Sequence, residues 1–241
     1  MSPSAVASPN PTRSCAGAGC WTSRKRPDVS ALLRRLAFLV LLLALGATAA
    51  EAHPHVWITS VSELVYAPDG TLTGVRHAWT FDEMFAAYAL QGIETKKKGV
   101  YTREELALLA QTNAESLKEF AYFTFAKADG KKQRFEDPID YFLDYTNGQL
   151  TLHFTLPAKT PFKAKQLVLE VFDRSFFIDF KMADKDPVRL VGAPEGCKMQ
   201  LQRPNDGSAN AQALGEQTFA DGGVNANFGM MFANKITVDC P

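Results

Sequence analysis

The sequence predicts a mainly β protein, an antiparallel β-sandwich of about ten strands with a small helical insertion. Turn dipeptides at hairpin spacing, apolar alternation between them, and one interval that switches to helical period carry this reading. Pro68-Asp69-Gly70 divides HVWITSVSELVYA from TLTGVRHAWTF, Asp129-Gly130 divides AYFTFAKA from KKQRFE, and Asn147-Gly148 divides IDYFLDYT from QLTLHFTL. Each dipeptide suits a tight turn with positive φ.

QLVLEVFD and FFIDFKM are expected to pair around Arg174-Ser175, followed by VRLVG, CKMQLQR and a last short strand KITVDC. The helical interval lies after the first hairpin. Thr80 with Glu83 and Thr102 with Glu105 both fit the capping box, and Leu106, Leu109, Ala110 and Leu117 follow at helical spacing. Lys96-Lys97-Lys98 reads as a solvated loop between the two helical patches. Residues 204–227, rich in Gly, Asn, Ala and Asp, read as a long loop.

The 241 residues carry 26 basic and 26 acidic side chains, with 46% hydrophobic and 22% charged content, which are globular values. A nucleic-acid binder is not expected from this balance. Residues 1–52 hold six Lys/Arg and two Asp/Glu, so the remainder has 20 basic against 24 acidic groups. Arg34-Arg35, the twelve-residue run LAFLVLLLALGA and Ala50-Glu51-Ala52 together read as a secretory signal cleaved after Ala52. The 15 uncharged residues from Leu36 to Ala50 fall short of the ~20 needed to span a bilayer, so stable membrane insertion after cleavage is not expected. The serine- and proline-rich residues 1–28 have no expected folded role, and Val29 is a candidate alternative start. Residues 53–241 are then expected to form a single β-rich periplasmic domain. Only Cys197 and Cys240 remain in it, an even count in an oxidising compartment, which predicts a disulfide.

Chemistry concentrates at the opening His53-Pro54-His55-Val56-Trp57. Cleavage after Ala52 makes His53 the first residue, whose α-amine and Nδ1 can close a chelate on one metal ion; His55, on the same strand face, can add a third nitrogen. Pro54 lacks an amide proton, which disfavours the square-planar copper or nickel motif built on consecutive deprotonated amides. Pairing the first hairpin around Asp69-Gly70 sets Trp57 opposite Asp82 and Ser62 opposite His77. Asp82 becomes a diagonal neighbour of His55, and Asp82, with Glu83 beside it, is preferred to His77 as a completing ligand. Helix capping is the competing role for that acidic pair. His77 and His153 alternate with apolar neighbours and read as sheet histidines. Asp173, at the end of VFD, can present a carboxylate at the sandwich rim or simply form a turn. No phosphate loop, nucleophile elbow or zinc-protease motif occurs.

AHPHVW after a signal, RHAWTFDEMFAAYALQG, FEDPIDYFLDY, VFDRSFFIDF and the closing ITVDCP together resemble an uncharacterised bacterial family described as the periplasmic component of an ABC-type transport system. The resemblance covers essentially residues 53–241 and implies a link to nickel, cobalt or zinc transport. It departs from the family at Arg174-Ser175, where Pro-Thr is expected, which loosens any role carried over to Asp173. The expected function is a non-enzymatic periplasmic accessory protein that binds or delivers a divalent metal, zinc or nickel ahead of copper. Its ligands are expected to be His53, His55, Asp82 and Asp173, and its partner an inner-membrane metal transporter. A copper histidine-brace enzyme and a metal-free Ig-like adaptor are the alternatives.

Overall fold

The structure is a computed structural model and describes Leu33, Phe38 and residues 55–204 and 228–241. Nearly all of the expected signal, its cleavage site, His53, and nearly all of the long loop before Phe228 lie outside the described residues. Residues Ala52–Pro241 form one compact unit.

Its strands are β1 (Val56–Tyr66), β2 (Leu72–Phe81), β3 (Thr124–Ala128), β4 (Lys131–Gln133), β5 (Ile139–Thr146), β6 (Gln149–Phe162), β7 (Gln166–Val171), β8 (Ile178–Met182), β9 (Val188–Val191), β10 (Lys198–Gln202) and β11 (Asn234–Asp239). One sheet runs β5-β6-β2-β1-β8, with β9 also paired to β1; the other runs β10-β11-β7-β3-β4. The mainly β sandwich-like architecture is therefore as the sequence predicts. The helical insertion holds α1 (Glu83–Ala89), α2 (Ala107–Ser116) and a 3-10 segment, Leu117–Phe123.

Period-two alternation sets the core. Val56, Ile58 and Leu64 of β1, Val75, Trp79 and Phe81 of β2, and Leu150, Leu152, Phe154 and Leu156 of β6 point inward. They meet Leu167, Leu169 and Val171 of β7 and Ile236 and Val238 of β11 in one apolar cluster. Trp79 is its hub, with Phe154 and Phe180 edge-on at 4.7 and 4.8 Å between ring centres. The Asn147-Gly148 hairpin has φ of 53° and 80°, the paired positive values of a two-residue turn that matches strand twist.

The first hairpin adopts the expected register, Ser62 opposite His77 and Ile58 opposite Phe81. The Thr102–Glu105 box also forms: Thr102 N donates to Glu105 Oε2 at 2.8 Å and Glu105 N to Thr102 Oγ1 at 3.3 Å. Of the helical-period residues, Leu106, Ala110 and Leu117 are buried. Thr80 does not cap a helix; its hydroxyl shares a hydrogen bond with Thr151 on β6, and Asp82 takes the cap instead. Cys197 and Cys240 stand in disulfide geometry across 43 positions.

The expected β7–β8 hairpin is corrected. Strand β7 lies between β3 and β11 in one sheet, and β8 pairs parallel to β1 in the other, Val56 opposite Ile178. Both edges of β7 are occupied, so the turn at residues 173–177 crosses from sheet to sheet rather than folding back.

Candidate metal-binding rim

The sheet crossover and the start of β1 meet at one rim. His55 N donates to the Phe177 carbonyl at 2.9 Å, and the two rings lie 4.8 Å apart. His55 is exposed and Trp57 is 38% exposed, while Val56 and Ile58 between and beyond them are buried. Strand alternation thus puts His55 and Trp57 on the outer face.

Asp82 is tied to the same strand. Its amide donates to the Trp57 carbonyl and Trp57 N donates to Asp82 Oδ2, each at 2.9 Å. Asp82 Oδ1 accepts from Met84 N and Phe85 N at 2.9 Å, satisfying two amides at the start of α1. The sequence left ligand and cap as competing roles for Asp82. The structure shows the cap: Oδ1 serves the helix, and Oδ2 accepts one protein hydrogen bond, with capacity for a second. Glu83 follows as the exposed acidic residue of the first turn.

Asp173 is 5% exposed and directed into its own turn. Oδ1 accepts from Ser175 N and Oγ at 2.9 Å, and Oδ2 from Ser175 Oγ and Ile178 N at 3.0 Å. With Ser175 N on Oδ1, Ile178 N on Oδ2 and the Ser175 hydroxyl proton shared between them, the carboxylate shapes the bend that presents Phe177 to His55. Residues Phe228–Phe232 brace that bend: Gly229 N donates to Arg174 O at 2.8 Å, and Phe232 stacks on Phe176 at 3.7 Å. A Cβ at Gly229 would fall 1.6 Å from the Asp173 carbonyl oxygen, so only glycine fits. Gly229 carried no local sequence signal, because its role depends on a close approach to a distant turn.

The other described histidines lie elsewhere. His77 is buried, its Nδ1 3.0 Å from Ser62 Oγ and its Nε2 3.2 Å from Thr124 Oγ1. Thr124 Oγ1 donates to Tyr122 O, so it accepts from Nε2–H, and Nδ1 is left to accept from Ser62. Burial pushes His77 down to about 3 from its ordinary 6.5 and keeps it neutral. His153 on β6 stacks on Phe142 at 4.6 Å, with the Arg103 guanidinium 3.7 Å from the same ring. Desolvation lowers its pKa, with Asp144 opposing and Arg103 adding to the shift.

Among the described residues, no three His, Cys, Asp or Glu side chains group closely enough to hold a metal ion. His55 and Asp82 offer an imidazole and a carboxylate, a donor pair suited to zinc and its divalent neighbours. His53 lies outside the described residues. A separate cavity of about 380 Å³ between α1 and α2, lined mainly by Phe85, Tyr88, Ala89 and Leu109, offers no comparable donors. Among the described residues no helix is long and apolar enough to cross a membrane.

Comparison with known proteins finds an uncharacterized protein of Haemophilus influenzae (strain ATCC 51907 / DSM 11121 / KW20 / Rd), 22% identical over 192 residues that cover 78% of this chain and 91% of that relative. The family model described as a protein of unknown function, DUF1007, matches residues 38–240, the two sheets and the rim included, and the chain belongs to that family.

Proposed function

We propose that this protein is a non-enzymatic periplasmic accessory of transition-metal transport that binds or hands over a divalent ion at the His55 rim. His53 supplies amine and imidazole, His55 a second imidazole and Asp82 Oδ2 a carboxylate oxygen, with zinc or nickel preferred to copper. The observation that supports this reading is the hairpin register, which fixes the Asp82 carboxylate on the amide of Trp57, two residues from an exposed His55. Asp173 acts as a positioning residue: it closes the turn whose Phe177 carbonyl and ring hold the start of β1. The cysteine pair suits an oxidising compartment. The family resemblance supplies the transport context, with an inner-membrane metal transporter as partner.

Titration of zinc or nickel into protein beginning at His53 tests the assignment. His55→Ala should weaken binding by about tenfold or more, whereas His153→Ala should leave it unchanged, since that ring is held on Phe142 on another strand. Equal affinities in both variants would reject the rim as the site.

A further inference from the structure

The core carries a polar pair that the rim does not use. Ser60 on β1 and Trp79 on β2 are directly opposite in register, and both are essentially inaccessible, at 0% and 1% exposed. Ser60 Oγ and Trp79 Nε1 are both buried without a hydrogen-bond partner. Leaving a buried donor or hydroxyl unpaired is costly, and native interiors seldom do so.

Register sets the two residues directly across from each other on the inner face. Asp82 N donates to Trp57 O, so the hydrogen-bonded pairs of this hairpin fall at the odd positions of β1. Ser60 with Trp79 and Ser62 with His77 are then the close pairs, whose side chains approach on the inner face. The Ser60 backbone carbonyl is turned the other way, accepting from Ala183 N at 3.0 Å. Ser60 and Ser62 are also the two small residues on this face, between Ile58 and Leu64.

Proton direction along the neighbouring pair is one-way: Ser62 donates to His77, His77 to Thr124, and Thr124 to the Tyr122 carbonyl. Ser62 Oγ thus keeps only acceptor capacity toward the pair beside it. We infer that an ordered internal water is bound between Ser60 Oγ and Trp79 Nε1, accepting from the indole N–H, pairing with the Ser60 hydroxyl and donating toward Ser62 Oγ. Such a water has the two to four polar partners that buried waters require. It extends the Ser62–His77–Thr124 chain by two residues and joins β1 to β2 through side chains as well as backbone.

The competing arrangement is an indole N–H directed at an aromatic face, since Phe154 and Phe180 flank Trp79. Full-length protein carrying Trp21→Phe and Trp57→Phe leaves Trp79 as the sole tryptophan, and proton NMR then reads its indole N–H alone. The expected result is cross-relaxation between that N–H and a long-lived water, lost in Ser60→Val, where two methyl groups fill the space. A crystal structure of the unaltered protein supplies a readout that does not depend on the variants folding, with a water within hydrogen-bond distance of both Ser60 Oγ and Trp79 Nε1. An indole N–H without water cross-relaxation, a cross-peak undiminished in Ser60→Val, or electron density with Nε1 facing a phenyl ring and no water would each overturn the inference.

Discussion

Two histidines on one hairpin meet opposite fates. His55 opens β1 at an exposed rim, resting on Phe177, whereas His77 is enclosed by Trp79 and Phe154 with both ring nitrogens engaged. The rim is held by backbone contacts and one helix cap, so changes to its exposed side chains leave the sheets in place. The core histidine is fixed by burial, and any change in its charge acts on the whole fold. The proposed chemistry and the fold's stability thus rest on opposite parts of a single pair of strands.

The largest effect expected lies on the core side. Loss of the Cys197–Cys240 bond, which ties residues next to β10 and β11, should lower stability by roughly 4 kcal/mol on chain-entropy grounds while leaving metal affinity at the rim unchanged. Denaturant titration with and without reductant reads the first, and finding both thiols alkylatable before reduction would remove its basis.

His77→Ala comes next, with a loss of about 3 kcal/mol from the cavity and from the orphaned Ser62 and Thr124 hydroxyls. His77→Gln, which can still donate and accept, sharpens the comparison through pH. The native imidazole titrates near 3 and the unfolded one near 6.5, so acid protonates the unfolded chain first. The stability this group contributes is complete above pH 6.5 and is lost as pH falls toward 3, by about 2 kcal/mol between pH 7.5 and pH 5. Denaturant midpoints of the native protein should fall by that much more than those of His77→Gln; parallel pH profiles would show that His77 is not held neutral.

The smallest stability effect is expected at the rim. Asp82→Ala should cost about 1 kcal/mol by uncapping α1, and Asp82→Asn only a few tenths, because an asparagine oxygen caps as well. Both should weaken metal binding, since neither retains the carboxylate charge. A variant that binds metal normally while losing the cap would confine Asp82 to its structural role.

Much of this arrangement was legible in the sequence, and the reasons are local. The register of β1 with β2 follows from where Asp69-Gly70 places the turn, and the Thr102–Glu105 box from side-chain reach over one helical turn. The pairing of two cysteines needed only their number. What escaped was set by tertiary contact: β7 and β8 read as a hairpin because they flank a turn, yet occupied edges place them in different sheets. Asp173 looked alike as turn former and as ligand until its three donors, Ser175 N, Ser175 Oγ and Ile178 N, were visible. Thr80 matched the capping pattern, but strand β2 continues through it to Phe81 and passes the cap to Asp82.

The central claim, a chelate built on a terminal histidine, is tested most directly by adding one alanine before His53 and comparing zinc affinity with that of protein beginning at His53. The extension converts the amine to an amide, so affinity should fall by at least about tenfold with the unfolding transition unchanged. The steep loss of binding expected between about pH 8 and pH 5, where protons compete for an α-amine and imidazoles, should also become shallower. Unchanged affinity in the extended protein would contradict the account.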